Sequence, residues 1–434
     1  MPPLEKRLRD RYRIMVLAHL HAAQRLASGV SALPQATKAL SATQAAYRFL
    51  HNPHIKLRDL AAPLLKAAHQ AVADTCEGHL LVIHDWSQVP YRKHHKKADR
   101  LTMSAPCDLG YKLQVALAVS DREGAPLAPL LLRLYAADGV HTSEGGPAWR
   151  PGCPLDEVSP AMAFVERQKF PKPVVHLLDA EGDSVGHLRQ WNREPSRRFV
   201  VRGENRWVEH EGRELRCAEW QAKLRAQGAF RYSRPVEYRG RKACQYVAEL
   251  SVRLLRPAYQ NRQGKRRVVP GEPLPLRLII SEVRGEQADN LLATWFLLTN
   301  VEPTIPSATI ALWYYWRWRI ETFFKLLKSA GLQLEDWKQQ TADAVARRLL
   351  VASMACVVVW QLARNSSPQA DQARQLLVQL SGRTLARGTH FTMPALLAGL
   401  WVLLAMLNVL NHYNLDELRE LAKFALPDHA TRPP

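Results

Sequence analysis

Leu80-Leu81-Val82-Ile83-His84-Asp85 is a short apolar run that stops on two polar side chains. That is the pattern of a buried strand delivering polar groups at its C-terminal end. Downstream, Tyr111, Leu113, Val115, Leu117 and Val119 alternate with period two and predict a second strand. Residues 130–135 predict a third, with Asp121-Arg122-Glu123-Gly124 as the turn between these last two. Residues 135–154 are rich in Gly and Pro and read as loop. A second buried run, Val174-Val175-His176-Leu177-Leu178, ends in Asp179-Ala180-Glu181-Gly182-Asp183. Helical spacing over 161–168 and 184–192 flanks it, with Ser184 as N-cap of the latter, and Phe199-Val200-Val201 supplies a fifth strand.

Three antiparallel strands, a helix, a strand, a helix and a strand, with acids at the ends of the first and fourth strands, is the layout of a ribonuclease H-like sheet. The expected fold class is therefore α/β (α+β), a ribonuclease H-like mixed sheet with further modules around it. Residues 4–29 and 36–76 show apolar residues at helical spacing broken at Pro34 and Pro53, which predicts a helical N-terminal module over 1–76. The catalytic core is expected over 77–204 and resumes over 301–345. Between them, 205–300 carries alternating, Arg-rich segments at 231–238, 245–255 and 276–283 and reads as an inserted β subdomain. Helical patterning beyond Ile310 predicts a C-terminal helical domain over 346–434.

The chain has 434 residues, of which 47% are hydrophobic and 23% charged. This excludes collagen-like, low-complexity and wholly disordered classes and is enough for two or three cores. Sixty Lys and Arg against 40 Asp and Glu leave +20, and the pI of about 9.9 points to a polyanionic partner, nucleic acid before an acidic membrane. Between Arg231 and Arg267, 11 Lys or Arg face two Glu, too dense a cluster for a merely solvated face. Cys76, Cys107, Cys153, Cys217, Cys244 and Cys356 contain no C-x-x-C pair and read as reduced thiols of a cytoplasmic protein. The basic N-terminus lacks the apolar segment of a signal peptide. Residues 393–410 are nearly long enough to span a bilayer but contain Pro394, Gly399 and Asn408. A buried or subunit-interface helix is expected there, with no membrane partner.

The segment Tyr314-Tyr315-Trp316-Arg317-Trp318-Arg319-Ile320-Glu321-Thr322-Phe323-Phe324-Lys325-Leu326-Leu327-Lys328 holds most of the chemistry. On one continuous helix Tyr314, Arg317, Glu321 and Lys328 share a face, while Trp313, Trp316, Ile320, Phe323 and Leu327 cover another. Read alone, the polar stripe is an ordinary solvated face with Arg317 and Glu321 as an i,i+4 pair. The two strand-end acids change that reading: Asp85 and Asp179 would be neighbours on adjacent strands, and a helix on the sheet can bring Glu321 to them. Three clustered carboxylates repel one another unless cations neutralise them. All-oxygen ligation suits Mg²⁺, with Mn²⁺ as substitute. Two such ions about 4 Å apart can activate an attacking water or 3′-hydroxyl and stabilise the leaving oxygen at phosphorus. His84, His94 and His95 lack partners at zinc spacing, which disfavours zinc.

With these residues in place, the chain resembles the DDE transposases of bacterial cut-and-paste elements, in particular the insertion-sequence 4 family. The family's helix signature is Y-x(2)-R-x(3)-E-x(6)-K, and Tyr314, Arg317, Glu321 and Lys328 match it throughout. Ala45-Ala46-Tyr47-Arg48-Phe49-Leu50-His51-Asn52-Pro53 resembles its N-terminal DNA-binding module, and Arg198-Phe199-Val200-Val201-Arg202 its fifth core strand. The resemblance spans residues 5–365. It implies that Asp85, Asp179 and Glu321 are the catalytic and metal-binding triad, with Tyr314, Arg317 and Lys328 holding DNA phosphates near the cleaved end, roles suited to an Arg fork and a Lys charge. Trp295 occupies the position of a family Trp that stacks on a flipped base in hairpin-forming members; without the resemblance it reads as a core aromatic. One departure is Ala180, where the family commonly has Arg after the second Asp. Within the trio Asp179, Glu181 and Asp183, Asp179 is the expected ligand because it ends the apolar run. His84 reads as a packed histidine rather than a group supporting the metal.

Lys93, Lys96 and Lys97, in the cationic run 91–97, are expected to grip the phosphate backbone without reading sequence. Sequence readout falls to Tyr47, Arg48 and Asn52, and Arg202 joins the DNA contacts. Apolar stripes at 349–362 and 396–410 exceed what one chain obviously covers, and family members pair two ends as dimers, which implies a homodimer. The expected function is a transposase that binds terminal inverted repeats, cleaves through two Mg²⁺ ions, by way of a hairpin, and joins 3′-hydroxyls to target DNA. Two alternatives stand beside it: a stand-alone nuclease on the same fold and a domesticated DNA-binding protein without catalysis.

Overall fold

A computed structural model describes residues 5–21, 44–145, 154–262, 265–285, 290–328 and 330–425. The molecule is a mixed α/β protein built on one large mixed sheet. The expected meander is β1 (Leu80–Pro90), β3 (Leu109–Ser120) and β4 (Pro126–Ala136), with the two-residue β2 (Leu101–Thr102) paired to β3. β5 (Gly139–Thr142) pairs with β4 inside the stretch expected to be loop; the rest of that stretch, 146–153, lies outside the described residues. β6 (Val174–Leu178) and β7 (Arg198–Gly203) add in parallel on the other side of β1.

The Arg-rich segments between 205 and 300 extend this same sheet. β8 (Trp207–His210), β9 (Arg213–Arg216), β10 (Arg231–Tyr238), β11 (Arg241–Leu254), β14 (Leu274–Arg284) and β15 (Leu291–Thr299) continue from β7 through the antiparallel β7–β15 pair. The full order is β5-β4-β3-β1-β6-β7-β15-β14-β11-β8-β9, while β12 (Ala258–Arg262) and β13 (Lys265–Val269) form a separate ribbon. Alternation along these strands feeds two cores, one on each face. Val175, Leu177, Val200, Ile279 and Leu297 belong to one core, and Leu178, Phe199, Val201, Ile280 and Leu298 to the other. Both faces are therefore covered, which is why β1 and β6 read as unbroken apolar runs.

Helices α1 (Lys6–His21) and α2 (Leu57–Thr75) frame the N-terminal module together with helical residues 44–50. The expected helical stretch between 22 and 43 lies outside the described residues. α3 (Val158–Arg167), α4 (Val185–Asn192) and α5 (Cys217–Ala226) contribute to the second core. Ser184 stands at the N-cap of α4 as expected, but its hydroxyl meets His187 Nδ1 at 2.9 Å rather than a backbone N–H. α6 (Ser307–Trp316) and α7 (Arg319–Leu327) follow directly from β15.

Beyond them α8 (Ala342–Arg364) starts at Thr341, whose hydroxyl accepts from Ala344 N at 3.3 Å, and stays buried along most of its length. Buried Arg347 on α8 donates to Leu50 O and Ile55 O at 2.8 and 2.9 Å, tying the N-terminal module to the sheet's helical cover. α9 (Pro368–Ser381), α10 (Met393–Leu410) and α11 (Leu415–Ala425) end the described chain. Gly399 lets α10 close onto α9, because a Cβ there would meet the Leu377 backbone. The five described cysteines are free.

For α10 the sequence predicts a buried or subunit-interface helix. It is continuous and apolar enough to cross a membrane, and 22% of it is buried within this chain, which meets the buried alternative only in part. Ala395, Leu396, Leu397 and Gly399 are covered, while Met406, Leu407 and Leu410 face outward.

Candidate active site

Strand register brings the two aspartates together. β1 and β6 pair in parallel from Leu80↔Val174 to His84↔Leu178, so Asp85 and Asp179 follow as neighbours just past that pairing; Asp179 directly follows the end of β6, while Asp85, expected at a strand end, lies inside β1. β1 runs on past Asp85 against β3, whereas β6 stops and Asp179 caps the turn 180–182 by accepting from Ala180 N at 2.6 Å. Asp183 is engaged elsewhere: its buried carboxylate takes Arg206 Nη2 at 2.5 Å and accepts from Glu204 N at 2.8 Å, a fastening role. His84 faces a different environment from its neighbour Asp85. Its Nε2 lies 2.9 Å from Nδ1 of buried His176, and burial lowers both pKa values, so His84 is the packed histidine the sequence suggested, here paired with His176.

The polar helix face is not one helix. α6 ends at Trp316, Arg317 and Trp318 form a turn, and α7 begins at Arg319. Trp316 closes over the β3–β4 turn, where Gly124 adopts φ +64° directly beneath its indole. Arg317 and Trp318 keep helical φ/ψ through this turn, and the Arg317 side chain faces inward, only 5% exposed. Its Nη1 reaches Asp85 Oδ2 at 3.1 Å and its Nη2 reaches Asp179 Oδ2 at 3.0 Å. Arg202 on β7 takes Asp179 Oδ1 at 2.8 Å, and the Tyr314 hydroxyl donates to the same oxygen at 3.4 Å. Lys328 closes α7 at its C-cap, bonded to the Gln88 carbonyl on β1 and 3.3 Å from Glu335.

Glu321, half-buried on α7, forms no side-chain hydrogen bond or ion pair among the described residues, but its charge acts on the pair. Burial pushes the Asp85 carboxyl up to about 6; Arg317 and the Trp86 N–H oppose this, while Glu321 and Asp179 add to it. Burial works against the Arg317 charge, and the Tyr314 phenol with Asp179, Asp85 and Glu321 outweighs it. Among the described residues no three His, Cys, Asp or Glu side chains form a metal-holding group. The guanidinium between the two aspartates supplies the positive charge that a buried acid pair demands. As a donor set, Asp85, Asp179 and Glu321 still suit hard divalent cations, and Arg317 stands in for one.

Beside this cluster lies a cavity of about 270 Å³ lined by Arg202, Tyr238, Trp295, Tyr314, Arg317 and Trp318, among others. Trp295 is half-buried, its ring 6.0 Å from Tyr314 and 6.4 Å from Tyr238, so it borders open space rather than the core centre. Trp318, 64% exposed, completes the wall. Sequence reading passed over it, although an indole left off the apolar stripe of its own segment was the available signal. Tyr238 arrives at the end of β10 and Arg239 from the β10–β11 turn, and nothing local announces them.

The remaining candidates lie elsewhere. Lys93 and Lys96 are exposed on the loop after β1, as a phosphate grip requires. Lys97 is a correction: it is 2% exposed, its ammonium bonded to the Gln339 carbonyl and 4.3 Å over the Tyr91 ring, with burial lowering its pKa to about 8. It pins the loop rather than facing solvent. Tyr47 and Arg48 are exposed on helical residues 44–50, with Tyr47 stacked on His51 at 3.9 Å. Asn52 uses its side-chain oxygen within its own turn, accepting from His54 N at 3.0 Å. No protein-family model and no curated protein matches the chain.

Proposed function

We propose that this protein is a cut-and-paste DNA transposase with a ribonuclease H-like core, similar to the DDE transposases of the insertion-sequence 4 family. The observation that carries the reading is the convergence of Asp85, Asp179, Tyr314, Arg317 and Arg202 where the parallel pairing of β1 and β6 ends, with Glu321 in electrostatic reach. These residues come from elements separated by more than 200 positions, and their types are those phosphoryl transfer on DNA requires.

Asp85, Asp179 and Glu321 would hold two Mg²⁺ ions, or Mn²⁺ in their place. When bound, such ions supply Lewis acidity at the scissile phosphorus. Arg202, Arg317 and Lys328 hold phosphates on either side of it, and Trp295 offers a ring for a base swung out of the duplex. Hydrolysis of the P–O3′ bond frees the transposon 3′-hydroxyl. That hydroxyl attacks the phosphorus of the opposite strand and displaces the 3′-hydroxyl of the flanking DNA to close a hairpin; water then reopens the hairpin at the same bond, and the regenerated 3′-hydroxyl attacks target phosphorus, displacing a target 3′-hydroxyl. Tyr47 and Arg48 read terminal inverted repeats, and Lys93 and Lys96 grip the backbone. The exposed faces of α10 and α11 pair two copies as a homodimer that holds both ends, acting in the cytoplasm.

A DNA-binding protein without catalysis is the second reading, favoured by the Arg317 bridge that fills the acid pair. Cleavage of a labelled duplex bearing the element's own terminal repeat, with Mg²⁺, with EDTA, and with Glu321→Gln, separates the two. Mg²⁺-dependent cutting at the repeat end that Glu321→Gln abolishes while binding persists supports the transposase. Tight binding with no cutting under any divalent ion rejects it.

A further inference from the structure

We propose that Arg317 makes loading of divalent cations at Asp85 and Asp179 conditional on DNA, by serving as their resting counter-ion and withdrawing when a phosphate takes its guanidinium. The inference rests on the reading that these aspartates hold the ions. All four of their carboxylate oxygens are occupied by donors of the chain itself. Asp85 Oδ1 accepts from Trp86 N at 2.8 Å, and Asp179 Oδ1 takes Ala180 N and Arg202 Nε at 2.6 and 2.8 Å. The two Oδ2 atoms, one on each strand, are both held by Arg317. One side chain thus closes one ligand position on each aspartate, and its withdrawal opens both together.

A guanidinium and a divalent ion cannot share those two oxygens, because like charges at contact distance repel strongly in a half-buried site. Arg317 also has somewhere to go. Its side chain, at the turn between α6 and α7, already lines the cavity bounded by Arg202, Trp295 and Trp318. A phosphate in that cavity would meet the face of the cluster that carries Arg202 and Arg317. Guanidinium pairs with phosphate as well as with carboxylate, so DNA can compete for Arg317 without a change of main-chain fold. Reciprocity then requires that divalent ions tighten DNA binding by the same factor.

The test reads ions rather than turnover: free Mn²⁺ measured by electron paramagnetic resonance against the full chain, with and without a random-sequence duplex, after subtraction of duplex alone. Without DNA, Arg317→Ala and the isosteric, uncharged Arg317→Gln should each bind Mn²⁺ about tenfold more tightly than wild type. The duplex should tighten wild-type binding by a similar factor and leave both variants nearly unchanged. Equal or weaker Mn²⁺ binding by the variants, with wild type binding measurably, overturns the proposal while leaving the metal site intact, since Arg317 would then only position the aspartates. Absence of Mn²⁺ binding in every protein, with Asp85→Asn indistinguishable from wild type, removes the metal-holding reading and this proposal with it.

Discussion

Asp85 is held in conflict: strand β1 buries it, Asp179 and Glu321 add negative charge, and Arg317 relieves only part of the cost. Its carboxyl is raised in the folded state to about 6 from the ordinary 3.8. The folded protein therefore keeps a proton that the unfolded chain releases between those values, so the Asp85 penalty is full above pH 6 and disappears as pH falls through 6 toward 3.8. Asp85→Asn should accordingly melt higher than wild type at pH 8 in EDTA, by an amount equivalent to roughly 1–3 kcal/mol, and lose that advantage near pH 4. Differential scanning calorimetry at the two pH values checks it, and a variant less stable at pH 8 would contradict the burial account. The lysines after β1 separate in the same residue-by-residue way. Lys93→Ala with Lys96→Ala should lower the salt slope of DNA binding by up to about 2, whereas Lys97→Met should leave the slope alone and reduce thermal stability. Fluorescence anisotropy over a salt series distinguishes them. Trp295→Ala should leave first-strand nicking largely intact and cut hairpin yield by about tenfold or more, read on denaturing gels; an unchanged yield removes the role given to its ring.

At the scale of elements, the turn between α6 and α7 and the β3–β4 turn beneath it act as one joint. Helical φ/ψ persists through the α6–α7 turn, so Tyr314 on α6 and Arg317 at the turn both face the aspartates. Trp316 closes over the joint, and a Cβ on Gly124 would stand 2.3 Å from the indole at a φ of +64°. Gly124→Ala should therefore destabilise by about 1–3 kcal/mol and, by moving Trp316, disturb the Arg317 bridge as well. Chemical denaturation gives the first effect, and a fall in DNA affinity beyond that of an equally destabilising core variant such as Val165→Ala gives the second. The antiparallel β7–β15 pair carries the other half of the site, since it sets Trp295 opposite the strand bearing Arg202 and leads into α6.

Across the whole molecule, one sheet with a core on each face supports the site, and the helical termini meet at α8. Met406, Leu407 and Leu410 on α10 and Leu421 on α11 are 44–54% exposed, an apolar face that a second copy would cover. Leu407→Glu with Leu410→Glu should shift the chain from dimer to monomer in sedimentation velocity at micromolar concentration; identical sedimentation of wild type and variant rejects the pairing. The five strands and two helices expected between residues 80 and 203, and the adjacency of the two aspartates, were legible in the amino-acid sequence, because period-two alternation and buried apolar runs are local signals; β5 and the run of β1 on to Pro90 were not. So were the types of residue that serve the site. Three things were not local: that the Arg-rich segments join the first sheet, that Lys97 turns inward, and that Arg317 lies between Asp85 and Asp179. Each depends on which surface is left to pack against once distant strands have paired, a balance of burial and charge that exists only in the assembled fold.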